Sequence, residues 1–185
     1  MLHLIASIAM MFAAVAHADD TPFIAQAIDG LTSVLGDGIA VEFKKARTVL
    51  PTNPTSGEVA VFFTMEGFGG GNSYQFYLAL LAPAYPLEDA SLESPPTTKK
   101  VPVKYRLVSN AQVGGKGWRH IDFEKIMRTQ NGVVIQAQEY APNDPTCCPS
   151  KAVKVEYILE HGSLIEVRPT PPSIVPPLGL DTRER

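Results

Sequence analysis

The chain has 185 residues, 45% of them hydrophobic, and its 16 basic and 19 acidic residues leave a net charge of −3. Without a run of either sign, that balance argues against nucleic acid or an anionic membrane surface as a partner. Past the first residues no apolar run approaches the roughly 20 residues of a spanning helix, and the length suits one domain with a full hydrophobic core.

Residues Leu2 to Ala16 are almost wholly apolar, and Ala16-His17-Ala18 before Asp19 has the small-x-small pattern of a signal-peptide cleavage site. A signal peptide over residues 1–18 is therefore expected, and with it a periplasmic or secreted location. The n-region carries His3 but no Lys or Arg, so an uncleaved anchor is the alternative. No cysteine follows the apolar run, which argues against a lipid-anchored product. A single domain is expected over residues 19–168, followed by a Pro-rich flexible tail at 169–185.

The first segment of that domain spaces Phe23, Ile24, Ala27, Ile28, Leu31, Val34 and Leu35 at i, i+3, i+4 intervals. This predicts an amphipathic helix with Thr21 as N-cap, Pro22 at the first position and Gly36 as the stop. Its apolar stripe is best buried on a sheet. Ile39 to Phe43 alternates as a short strand, and Pro51 to Gly57 is a dense turn cluster. Val59, Val61, Phe63 and Met65 then share one face, with Ala60 and Phe62 on the other. Tyr74 to Leu81 repeats the pattern, so these two strands are expected at the centre of the sheet.

Glu66 to Ser73 joins them through Gly69-Gly70-Gly71. Exposed backbone amides invite a phosphate-binding reading, but neither a Gly-Lys-Ser/Thr nor a helix follows. A hairpin loop is the simpler reading, with Phe68 and Asn72 as the side chains to test if it contacts a ligand. Pro83 to Lys100 reads as a surface excursion. Val101, Val103, Tyr105 and Leu107 alternate with Lys104 and Arg106 as a strand with an apolar inner face. Gly114 to Gly117 is a turn. Trp118 to Arg128 sets Ile121, Phe123 and Met127 against His120, Asp122 and Glu124. Those three polar residues are the metal or acid-base candidates, at about 6 to 7 Å spacing along one strand face. An ordinary polar outer face explains them without a metal. Gln130-Asn131-Gly132 is a tight turn, after which Val133, Ile135 and Ala137 point inward. Val153, Val155, Tyr157 and Leu159 form a further strand, His161 sits in a turn, and Leu164 to Val167 follows it.

Both cysteines of the chain lie in Asn143-Asp144-Pro145-Thr146-Cys147-Cys148-Pro149-Ser150. Neighbouring Cα atoms are about 3.8 Å apart across a trans peptide, against roughly 4.4 to 6.8 Å in ordinary disulfides. A Cys147–Cys148 bond closes almost no loop, so its effect is local: it locks one turn. Pro145 and Pro149 stiffen the bracket whether or not the bond forms. A vicinal disulfide is the first reading. A redox-active pair, two packed thiols and a metal site short of ligands are the alternatives.

The strand Val59–Phe63, the Gly69-Gly70-Gly71 connection, the strand Tyr74–Leu78, the Asn131-Gly132 hairpin and Asp144-Pro145-Thr146-Cys147-Cys148-Pro149 resemble a group of uncharacterised bacterial exported domains. The similarity spans roughly residues 57–167 and lacks the acidic, glycine-rich lead-in of that group. It implies a bacterial envelope location and carries no activity with it.

The expected fold is α+β, a mostly antiparallel sheet with an N-terminal helix packed on it. No nucleophile elbow, His-Glu-x-x-His, Rossmann or Walker pattern occurs, so no catalytic residue and no cofactor is expected. The reading is a non-enzymatic binding domain, its partner another envelope or secreted protein. Its candidate contact residues are Asp144, Pro145 and Pro149 around the Cys147–Cys148 disulfide, with Phe68 and Asn72 in the glycine loop. The alternatives are an envelope inhibitor or immunity-type protein, and a thiol-disulfide redox protein using Cys147 and Cys148.

Overall fold

In the computed structural model, residues 22–44, 47–53, 56–85, 102–129 and 132–168 are described. The expected signal peptide, Thr21, Val101, Asn131 and the Pro-rich tail lie outside them. One helix, α1 (Pro22–Leu35), precedes nine strands: β1 (Val41–Glu42), β2 (Thr48–Asn53), β3 (Glu58–Phe68), β4 (Ser73–Ala84), β5 (Lys104–Gly115), β6 (Arg119–Arg128), β7 (Gly132–Glu139), β8 (Lys151–Glu160) and β9 (Ser163–Val167). All pairings are antiparallel, in the order β1-β3-β4-β5-β6-β7-β8-β9, with β2 also on β3. The fold is therefore α+β, with the helix against an antiparallel sheet.

The central pair is β3 and β4, buried on both faces as their two-sided apolar pattern requires. Val59, Val61, Phe63 and Met65 of β3 meet Tyr77, Ala79 and Leu81 of β4 beneath Ile24, Ile28 and Leu31 of α1. Ala60, Phe62, Phe76 and Leu78 point the opposite way and pack on Ile121, Ile135, Ala137, Val155 and Tyr157. The hydrogen-bonded sheet thus folds back on itself, with one core under the helix and a second between its two halves.

The corner between those halves is β5 to β6, held by the single pair Gly115↔Arg119. A Cβ on Gly114 would sit 2.7 Å from Arg119 O, and one on Gly115 would sit 2.8 Å from Tyr74 O. Only glycines let the chain turn this tightly against its neighbours. Beyond the corner, β7 and β8 pair without interruption from Gly132↔Ile158 to Glu139↔Lys151. Gly132 also has a strand role, since a Cβ there would fall 2.0 Å from Tyr157 O.

Several sequence expectations are corrected. Val34 is 79% exposed, because Ala27 and Leu35 complete the stripe that α1 buries. Pro51 to Asn53 belong to β2 and not to a turn; the strand lies beside β3 with an irregularity there, where a missing N–H is tolerated. Pro83 and Ala84 belong to β4, and residues 86–100 of the expected excursion lie outside the described residues; β5 reaches Gly115, so the Gly114–Gly117 turn is shorter than expected. Val103 and Leu107 are exposed although expected inward, while Tyr105 between them packs on the helix-side core; an extra residue then shifts the β5 register opposite Leu80 and Leu81, and Ala111 and Val113 join the other core. In β6, Ile126 takes the inner position expected of Met127. The cause is a large bulge: Ile121 pairs with Ala137, and the next pair is Ile126↔Ile135.

Candidate functional site

The cysteine segment spans residues 140–150 between β7 and β8. Because Glu139 and Lys151 are paired, its ends are close and it forms a compact Ω-type loop. Asp144 holds both feet: Oδ2 accepts from the amides of Ala141 and Ser150, each at 2.7 Å, and Oδ1 from the Ser150 hydroxyl at 2.7 Å. Those bonds, led by the Ser150 hydroxyl, hold the Asp144 carboxyl below its ordinary range. Tyr140 OH donates to Thr146 O at 2.7 Å, and Cys148 N to Pro145 O at 3.0 Å. Cys147 and Cys148 form a vicinal disulfide across a trans peptide, with Cα atoms 3.8 Å apart. Both are exposed, as is Pro145, while Asp144 and Pro149 are half-buried. The loop is thus braced by its own polar groups and turns its sulfurs outward.

The other binding candidates separate. Phe68 is partly buried against the helix-side core, so it is a packing residue. Asn72 is exposed in the β3–β4 turn, where its side-chain oxygen accepts from Lys116 Nζ and ties that turn to the β5–β6 corner. Gly69 N donates to Asp37 Oδ2 at 2.7 Å, so the glycine loop is fastened to the end of α1. The anion-cradling reading loses that amide.

His120, Asp122 and Glu124 do not share a regular strand face. The β6 bulge lifts residues 122–125 off the ladder, with Asp122 Oδ1 accepting from Glu124 N and Asp122 Oδ2 paired with Lys125 Nζ at 2.8 Å. Among the described residues, no three His, Cys, Asp or Glu side chains come together as a metal-ligand set. What these residues line is a groove of about 710 Å³ between the two sheet halves. Its floor is apolar, formed by Phe76, Ile121, Phe123, Ala137 and Val153. A bulge beside a concave site is a recurrent way to aim side chains into it.

A second polar feature was missed by sequence reasoning. Arg119 is fully buried, and its guanidinium meets Glu139 at 2.8 Å and Glu166 at 3.0 Å, the Val113 carbonyl at 3.1 Å and the Tyr157 hydroxyl at 3.3 Å. Strand register builds this cluster: Arg119 lies directly opposite Glu139, and Tyr157 opposite Glu166. Burial opposes the charge on Glu166, but hydrogen bonds from Arg119, Tyr157 and Arg168 outweigh it and hold the carboxyl at about 2. For Arg119, burial is likewise outweighed by Glu166 and Glu139, so the guanidinium stays charged. The signal in the sequence was a cation in the inner phase of a strand, two residues before Ile121. With every donor directed at a partner, this cluster is structural.

No family model, curated protein or solved structure matches the chain.

Proposed function

We propose that the chain is an exported, non-enzymatic interaction domain that presents the 140–150 loop to another envelope or secreted protein. The observation that carries this reading is the Asp144 clamp: an exposed loop with its polar groups spent on its own feet keeps a fixed outer face. A surface ordered beforehand loses little entropy when a partner docks. The apolar leader and the motif-level resemblance support an envelope location. An inhibitor or immunity-type role is the form of this reading in which the partner is an enzyme.

Pull-down from periplasmic extract, with wild type beside Asp144→Ala and Cys147→Ser/Cys148→Ser, is the test. Asp144→Ala should abolish specific capture while costing no more than about 1 kcal/mol of global stability, because only an exposed loop is released. Capture that survives both variants removes the loop from the interface. If the double serine variant keeps its partners but loses thiol exchange, the exposed sulfurs serve redox chemistry instead.

A further inference from the structure

The groove between the sheet halves carries a site of its own, which adjoins the foot of the cysteine loop at Gln138 and Ala152 but is lined by none of residues 140–150. Four aromatic rings, Phe43, Tyr74, Phe76 and Phe123, line it beside three carboxylates, Glu66, Asp122 and Glu124. Asp122 is neutralised by Lys125 at 2.8 Å. Glu66 and Glu124 have no ion pair among the described residues. Phe43 stands 42% exposed at the rim, held there by its amide, which donates to Thr64 O at 2.8 Å.

Thr64 supplies an independent sign of a ligand. It is 4% exposed, lies on the same face of β3 as Ala60 and Phe62, and lines the groove. Its Oγ1 has no hydrogen-bond partner among the described residues. A buried hydroxyl left unpaired is costly, and native structures keep few without a reason. Here the hydroxyl can accept a hydrogen bond from a group entering the groove.

We propose that this groove binds a small organic cation, an ammonium group carried on an apolar or aromatic body. The aromatic lining offers π-surface to the charge, Glu66 and Glu124 supply the counter-charge, and the floor of Phe76, Ile121, Phe123 and Val153 takes the apolar part. The volume of about 710 Å³ lies within the range of small-molecule sites. An anion of the same shape would meet Glu66 and Glu124 against a single lysine, Lys125, that is already paired with Asp122.

Isothermal titration of the full chain at neutral pH with 2-phenylethylammonium, 2-phenylethanol and 3-phenylpropionate separates charge from shape. The cation should bind about tenfold more tightly than the alcohol, and the carboxylate should not bind. Glu66→Gln/Glu124→Gln should weaken the cation about fivefold and leave the alcohol unchanged. Thr64→Val should weaken it about threefold without lowering the melting temperature, since it removes an unpaired hydroxyl. Equal affinity for cation and alcohol, a preference for the carboxylate, or no binding of the cation up to about 10 mM overturns the proposal. These outcomes are independent of partner capture by the cysteine loop.

Discussion

Arg119→Leu is expected to destabilise the protein by about 3–5 kcal/mol, the usual cost of removing one partner of a buried ion pair. For a chain of this length that is a fall of roughly 6–20 °C in melting temperature. The cost comes from what stays behind. Glu139 and Glu166 have side chains only 13% and 23% exposed, and without the guanidinium they face each other with only Arg168 as a cation. Adding Glu139→Gln and Glu166→Gln to the leucine variant should therefore restore part of the loss. A midpoint unchanged from wild type in urea unfolding at neutral pH would show that the cluster does not support the fold.

Acid tests the same cluster by another route. The Glu166 carboxyl is held at about 2 in the folded protein, against an ordinary value of 4.5. A depressed carboxylate contributes stability that is present above its unfolded pKa and is lost as pH falls towards its folded one. Wild type should accordingly weaken as pH is lowered from about 5 towards 2. The leucine variant, whose glutamates have lost their strongest partner, should weaken less over that window. Urea midpoints at neutral pH and at about pH 3 compare the two.

Phe62→Ala should cost a similar amount, about 3–5 kcal/mol. Phe62 has no exposed surface and sits in the core between the sheet halves, its ring 6.4 Å from that of Phe123 in an edge-on contact. Phe123 also stacks edge-on against Phe76 at 5.4 Å, and both line the groove. The cavity left by Phe62 lies behind the groove wall, so Phe123 loses its backing as the core loses volume. Thermal unfolding reads the first effect. The second is a weaker cation response in the titration described above, larger than stability loss alone gives in a control such as Ile28→Ala under the helix. If Phe62→Ala binds the cation as tightly as that control, the groove wall does not depend on the inner core.

Much of the fold is written in local pattern. Two-sided apolar runs at Val59–Met65 and Tyr74–Leu81 require a buried central pair, and that pair is β3 and β4. The i, i+3, i+4 spacing of Ile24, Ile28 and Leu31 requires a helix with one buried stripe, which is α1. The stiffness of the cysteine segment was legible in its neighbouring prolines and adjacent sulfurs, whereas Asp144, read as a contact residue, is the clamp that closes the loop onto Ala141 and Ser150.

Register shifts were not legible. A bulge inserts residues without changing the hydrophobic alphabet, so Met127 looked inward and faces solvent, while Ile126 beside it is buried. The Arg119 cluster gathers side chains from four strands, β6 to β9, up to 47 residues apart, through cross-strand pairing that only the folded ladder defines. The groove is less visible still, because Phe43, β3 and β4 approach it from one half of the folded sheet and the β6 bulge, β7 and β8 from the other. Local period and chain stiffness thus determined the helix, the central strands and the outward-facing loop. Where charges meet and where a cavity opens depended on long-range register, which was decided only when the two halves closed on each other.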